Sequence, residues 1–61
     1  MYEKYSQLRD ERHLTDYKVS KATGISTVTL TNWKKGKYTP KLDKMKKLAD
    51  FFGVSLEEFV A

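Results

Sequence analysis

A short segment near the middle of the chain brings together side chains whose chemistry suits the edges of base pairs and the phosphates of a nucleic acid. At about 100° per residue, one side of a helix over residues 27–35 carries a methyl-rich residue, hydroxyls, an amide and a cation. These residues are Thr27, Val28, Thr31, Asn32 and Lys35. An amide can pair with a base edge, a methyl group can pack on thymine, and hydroxyls and cations can contact phosphates. A solvated helix surface has a similar composition, so this segment alone leaves both interpretations open.

The flanking residues predict a short helix that is buried on its other side. Ser26 can cap the first turn by accepting from an unpaired backbone N–H, and Gly36 suits the left-handed residue just past the end. Leu30 and Trp33 share the side away from the polar set, where Ile25 can join them across the preceding turn. We therefore expect Trp33 to pack in a core rather than to stack on a base.

Helical spacing and end signals predict four further helices and no strand. They cover residues 2–12, residues 16–23 behind the N-cap Thr15, residues 41–52 after Pro40, and a short stretch that begins with the capping box from Ser55 to Glu58. Only Ile25 and Ser26 separate Gly24, which ends the second helix, from the third. These two helices must meet at a steep angle, as in a helix-turn-helix. The expected fold is all-α, one compact domain of five helices over residues 1–61.

The fourth predicted helix has the most regular apolar stripe. Its members repeat at spacings of three and four and are Leu42, Met45, Leu48, Ala49 and Phe52. We expect all of them to face the core. Phe51 lies outside this stripe. Together with Val60 it leaves an apolar patch suited to a partner or to a second copy, unless the fifth helix covers it.

The charge distribution favours a polyanionic partner. Twelve Lys and Arg residues against eight Asp and Glu give a formal net charge of +4 and a sequence pI near 9.4. Between Lys34 and Lys47 there are seven lysines and one acid, so this part carries +6 and the rest of the chain −2. Such a stretch is typical of nucleic-acid binding. A lysine-rich helix can also be an ordinary solvated surface, which is the simpler interpretation of Lys44, Lys46 and Lys47.

Several functional classes lack the residues they need. The chain has no cysteine, which excludes disulfides and thiolate metal sites, and its only histidine, His13, has no metal-ligand pattern around it. It contains no Gly-rich phosphate loop and no Ser with a recognisable base, and its core is too small for a typical ligand pocket. Without a long apolar run or a signal peptide, it should be soluble and cytoplasmic. We expect no enzymatic activity, cofactor, metal, membrane contact or small-molecule ligand.

Short motifs follow one another along nearly the whole chain in a characteristic order. They are Leu8-Arg9, Leu14-Thr15, Gly24-Ile25-Ser26, Leu30-Thr31-Asn32-Trp33, Lys35-Gly36-Lys37, Pro40, Leu48-Ala49 and the run from Gly53 to Glu58. Their order and spacing, rather than any one of them, resemble the Cro/C1-type (XRE-like) helix-turn-helix domains of phage repressors and related bacterial regulators. The resemblance implies a lambda-repressor-like fold in which the third helix lies in the major groove of DNA and the second crosses the backbone.

The resemblance also implies roles for particular positions. Those expected to face base edges are Thr27, Val28, Thr31 and Asn32, and those expected near phosphates are Lys35, Lys37, Tyr38 and Lys41. The implied function is sequence-specific binding of double-stranded DNA by a transcriptional regulator, most simply a repressor, as a weak homodimer or one that forms only on DNA. The same fold occurs in antitoxins and adaptor domains, so a protein-interaction module is the alternative. The chain fits both a minimal regulator and the amino-terminal part of a longer repressor.

Two residues depart from the family pattern. Asp16 occupies the start of the second helix, where the family often has a glutamine that contacts phosphate, and a carboxylate there repels phosphate. Lys34 follows Trp33, where the family usually has a glutamate that pairs with the arginine matching Arg9. Either Arg9 pairs with another acid, or two cations lie close together at this site.

Overall fold

Five helices make up the computed structural model, which describes residues 1–60. They are α1 (Tyr2–Glu11), α2 (Asp16–Thr23), α3 (Thr27–Lys34), α4 (Leu42–Phe52) and α5 (Leu56–Val60). No strand occurs over this range, which confirms the all-α, five-helix prediction. α1 and α3 each end one residue earlier than predicted, and α4 begins one residue later because Lys41 is its N-cap. Over the same residues, none of the helices has the length and hydropathy that a membrane span requires.

The predicted N-caps of α2 and α3 are confirmed. Thr15 Oγ1 accepts a hydrogen bond from Lys18 N at 3.2 Å, and Ser26 Oγ accepts one from Thr29 N at 3.1 Å. Each cap satisfies a backbone N–H in the first turn that the helix itself cannot pair. The chain therefore encodes the starts of both helices locally.

The capping box of α5 forms only in half. Ser55 Oγ accepts from Glu58 N at 3.1 Å, as predicted. The Glu58 carboxylate lies 3.7 Å from Lys4 Nζ, so it pairs with a cation of α1 rather than capping Ser55. Because α1 and α5 pack against each other, an opposite charge on the neighbouring helix is within its reach.

All five helices contribute to one hydrophobic core. The buried residues are Tyr5, Leu8, Val19, Ile25, Leu30, Trp33, Met45, Leu48, Ala49, Phe52 and Phe59. The predicted inward residues of α3 and four members of the α4 stripe are among them. The prediction for the fifth member, Leu42, is wrong, since this side chain is 66% exposed. Leu42 lies at the edge of the stripe in the first turn of α4, where no other helix covers it.

Trp33 connects α3 to the rest of the core, as predicted. It is 5% exposed, and its ring centroid lies 5.3 Å from that of Tyr2, 5.5 Å from that of Tyr5 and 6.4 Å from that of Phe59. The contact with Tyr2 is edge-to-face, a favourable geometry for aromatic rings. The inner side of α3 is thereby fixed against α1 and α5, and its other side is left to solvent.

Arg9 pairs with two acids that lie outside α3. Its Nη1 donates to Asp16 Oδ1 at 2.8 Å, and its Nε donates to Asp10 Oδ1 at 3.0 Å. Although Lys34 replaces the usual glutamate, Arg9 therefore pairs with other acids, which is the first of the two alternatives stated above. The ion pair with Asp16 joins α1 to the start of α2 instead of joining α1 to α3.

Candidate nucleic-acid interface

A glycine turn joins α2 to α3. Gly24 has a φ of 78°, in the left-handed region, and its N–H donates to Ser20 O at 2.8 Å. A residue with a Cβ would be strained in this conformation. Thr23 Oγ1 then accepts from Ile25 N at 3.3 Å, and the Ile25 side chain is buried in the core. The turn is anchored at this point, which fixes where α3 begins relative to α2.

A second glycine turn ends α3. Gly36 has a φ of 75°. Two backbone hydrogen bonds close the turn, from Gly36 N to Trp33 O at 3.0 Å and from Lys37 N to Asn32 O at 2.9 Å. This pair of bonds is the Schellman arrangement of helix ends. It turns the chain away from the axis of α3 and places Lys37 beside the last turn of the helix.

The predicted base-reading residues lie on the outward side of α3. Thr27, Val28 and Thr31 are exposed, and Asn32 is half-buried. The surface that they form carries methyl, hydroxyl and amide groups and no charge. Such groups can donate hydrogen bonds, accept them and pack on a methyl group, which are the contacts that direct readout of base edges requires.

The predicted phosphate-contacting residues follow directly on this surface. Lys35 is the C-cap of α3, Lys37 follows Gly36, and Lys41 is the N-cap of α4; all three lysines are exposed, whereas Tyr38 is half-buried. The ion pairs formed among residues 1–60 involve none of these three lysines. Their charges are therefore available to an anion.

The basic stretch is not uniform along α4. Lys46 Nζ lies 3.4 Å from Asp50 Oδ1, in an exposed ion pair one turn apart, and Lys44 is half-buried. Exposed pairs of this kind contribute little to stability and are typical of solvated helix surfaces. Lys46 thus fits the simpler interpretation of the α4 lysines, whereas Lys44 is partly covered by its neighbours.

A polar network at the start of α2 was not foreseen from the sequence. Tyr5 Oη donates to Asp16 Oδ1 at 2.6 Å, to the same oxygen that Arg9 Nη1 contacts. Burial and this hydrogen bond raise the pKa of the Tyr5 hydroxyl well above its ordinary value, so the hydroxyl stays protonated and able to donate even at a pH where an exposed tyrosine ionises. The signal that could have revealed the network was the simultaneous departure from the family pattern at Asp16 and Lys34.

Comparison with known proteins identifies a family and several relatives. The family model described as Helix-turn-helix matches residues 6–59. The chain is 38% identical over 58 residues to the cryptic phage CTXphi transcriptional repressor RstR of Vibrio cholerae, covering 95% of this chain and 52% of RstR. It is also 38% identical over 58 residues to an uncharacterized HTH-type transcriptional regulator of Methanocaldococcus jannaschii, covering 95% of this chain and 88% of that protein.

A further relative is considerably longer. The HTH-type transcriptional activator BcrR of Enterococcus faecalis is 29% identical over 59 residues, which are 97% of this chain and 29% of BcrR. The chain thus spans about half the length of RstR and less than a third of that of BcrR. No solved structure matches the chain.

Proposed function

Because the chain belongs to the helix-turn-helix family, we propose that it binds double-stranded DNA at specific sequences and regulates transcription. The observation that carries this proposal is the outward side of α3, where uncharged hydrogen-bonding and methyl groups are followed by uncompensated lysines. Repression is the proposed outcome. It is supported by the similarity to RstR, which is named a repressor, whereas BcrR, which is named an activator, is less similar.

In this proposal α3 lies in the major groove and α2 crosses the backbone above it. The Asn32 amide pairs with the N6 and N7 groups of an adenine, and Val28 packs on a thymine methyl group. Thr27 and Thr31 offer hydroxyls to neighbouring base edges. The exposure of this side of α3 and the anchoring of its inner side support these assignments.

The residues after α3 bind the phosphate backbone in the same arrangement. Lys35, Lys37 and Lys41 neutralise phosphates, and the Tyr38 hydroxyl donates to one of them. Such contacts set the position of α3 in the groove but read no sequence. Asp16 is assigned no phosphate contact, because its carboxylate is negatively charged and already bound by Arg9.

We further propose that residues 1–61 act as one DNA-binding domain in the cytoplasm, without catalysis, a cofactor or a small-molecule ligand. The shared core supports a single domain, because side chains from all five helices are buried together. The similarity to proteins that are named transcriptional regulators supports a binding role without chemistry of its own.

Replacing Lys37 or Lys41 by alanine should weaken binding to all duplexes to a similar extent. Each lysine that neutralises a phosphate releases about one counterion, so the slope of log K against log salt concentration should fall by roughly one unit in each variant. Lys46→Ala is the matched control, because it removes the same charge from a lysine that pairs with Asp50. The measurement is a titration of specific and scrambled duplexes at several salt concentrations. An unchanged slope in both test variants would show that Lys37 and Lys41 do not contact phosphates.

A protein-interaction module is the second candidate, and an exposed aromatic residue favours it. Phe51 is 38% exposed, packs on the Phe52 ring with centroids 5.0 Å apart, and lines a shallow groove with Ala22 and Thr23. α5 therefore leaves Phe51 uncovered. A pure interaction module need not bind a DNA or heparin column, whereas the proposed function predicts retention and elution by salt.

We propose that a second copy of the chain uses the surface around Phe51, because helix-turn-helix proteins commonly bind two-fold symmetric sites. Sedimentation should show a weak monomer–dimer equilibrium, or dimers only with DNA. Phe51→Ser should weaken the dimer. Val60→Ser should also weaken it, but this substitution should lower the stability of the fold as well, because Val60 packs against the core. Leu42→Ser, at the other end of α4, is the control and should not change association. A strictly monomeric protein that binds a half-site without a second copy would contradict the dimer.

A further inference from the structure

The start of α2 carries an ion pair whose geometry is closely defined. Arg9 Nη1 donates to Asp16 Oδ1 at 2.8 Å, and the Tyr5 hydroxyl donates to the same oxygen at 2.6 Å. The Asp16 side chain is 30% exposed and that of Arg9 is 19% exposed. Both charges are partly removed from water, and Arg9 is the cation that compensates the Asp16 carboxylate.

Neighbouring groups hold the two side chains in this arrangement. Arg9 Nε donates to Asp10 Oδ1 at 3.0 Å, and the guanidinium carbon lies 5.5 Å from the centroid of the buried Tyr5 ring, within the range of a cation–π contact. The Tyr5 ring in turn packs on Trp33, with centroids 5.5 Å apart. The Asp16 carboxylate is therefore held by two residues of α1, and one of them, Tyr5, also packs against the buried side of α3.

We propose that Arg9 is a positioning residue for DNA binding, which neutralises Asp16 and holds its carboxylate away from the phosphate backbone that α2 crosses. The inference rests on the proposed function, because it requires the backbone to pass the start of α2. Without Arg9, one negative charge would lie unpaired in the first turn of α2, beside a polyanion. Arg9 acts through Asp16 and need not touch the DNA.

Arg9→Met is the direct test, because methionine keeps much of the apolar stem and removes the charge. Affinity for every duplex should fall roughly threefold to tenfold at low salt, as Coulomb's law gives for one unit charge about 6 Å from a phosphate at an effective dielectric constant of about 40–80, the range for a well-solvated interface. The loss should shrink as salt rises, because a shorter Debye length screens the unpaired carboxylate. The double variant Arg9→Met/Asp16→Asn removes both charges, and its affinity should return to within about twofold of wild type.

Asp16→Asn alone provides an independent measurement and preserves the shape of the side chain. It leaves Arg9 paired with Asp10 alone and makes the start of α2 more positive by one charge, so affinity for every duplex should rise roughly twofold to fivefold at low salt. Lys4→Met is the matched control. It removes one cation from the same helix, but Lys4 pairs with Glu58 of α5, and affinity should stay within about twofold of wild type. Thermal unfolding followed by circular dichroism verifies that each variant is folded.

The pattern across the variants separates an electrostatic role from a purely structural one. A loss in Arg9→Met that the double variant recovers supports the inference. A loss that persists in the double variant, or weaker binding by Asp16→Asn than by wild type, overturns it. If Arg9→Met fails to fold, the double variant and Asp16→Asn decide the question by the same criteria. If the wild-type protein binds no duplex at all, the proposed function fails, a result distinct from every outcome above.

Discussion

Alanine in place of Trp33 should remove much or all of the protein's free energy of unfolding at room temperature. The indole ring is 5% exposed and packs on aromatic rings of α1 and α5. Truncating a buried tryptophan to alanine costs about 3–5 kcal/mol, because apolar contacts are lost and a cavity remains. A chain of this length has a total free energy of unfolding of roughly 3–9 kcal/mol, so the loss consumes much or all of it.

Urea denaturation followed by far-ultraviolet circular dichroism measures this effect without relying on tryptophan fluorescence. Tyr17→Ala is the control, because Tyr17 is an aromatic residue of α2 that is 63% exposed. Its removal should change the free energy of unfolding by less than about 0.5 kcal/mol. A Trp33→Ala protein with a denaturation midpoint near that of wild type would show that the ring does not anchor α3.

Asn32→Ala should cost about 1–3 kcal/mol of binding free energy on the preferred site and little on random DNA. The amide can make two hydrogen bonds to one adenine, so its loss should relax the base preference at one position. The substitution leaves the backbone intact, including the bond from Lys37 N to Asn32 O that closes the end of α3. A change in affinity therefore reports the side chain rather than the turn.

The measurement is a titration of wild type and Asn32→Ala on the preferred duplex and on a scrambled one. Gln7→Ala serves as the control, since Gln7 is an exposed residue of α1 whose side-chain amide donates a hydrogen bond to Glu11 of the same helix. It should leave both affinities unchanged. Equal losses on the two duplexes in Asn32→Ala would exclude base reading by this side chain.

The helix-turn-helix could be predicted from the sequence because its signals are local. Gly24 supplies the left-handed residue, Ser26 caps the next helix through its own side chain, and Gly36 ends that helix. The buried positions of Leu30 and Trp33 follow from helical periodicity, which needs no knowledge of the packing partner.

Other features could not be predicted because they depend on how helices meet. The partner of Arg9 is on α2, and helix packing rather than spacing along the chain selects Asp16 among the acids of the protein. Leu42 has the correct spacing for the core, but its burial depends on whether another helix covers the first turn of α4. Glu58 similarly pairs with Lys4 of α1, a contact that a capping-box pattern does not contain.

The roles of the base-reading residues remain a prediction for a related reason. Exposure on α3 makes Thr27, Val28 and Thr31 available, but a base contact is defined only in the presence of DNA. The same is true of the lysines, whose free charges are compatible with phosphates and with solvent. Binding measurements therefore decide which of these exposed residues contact DNA.

Selection of bound duplexes from a random pool, followed by titration of the selected site and a scrambled duplex, tests sequence-specific reading most directly. If α3 reads base edges in the major groove, a common sequence should emerge, and at about 0.15 M salt it should be bound at least roughly 10³-fold more tightly than the scrambled duplex. A selected pool without a common sequence, or equal affinities for the two duplexes, would contradict sequence-specific DNA binding by this protein.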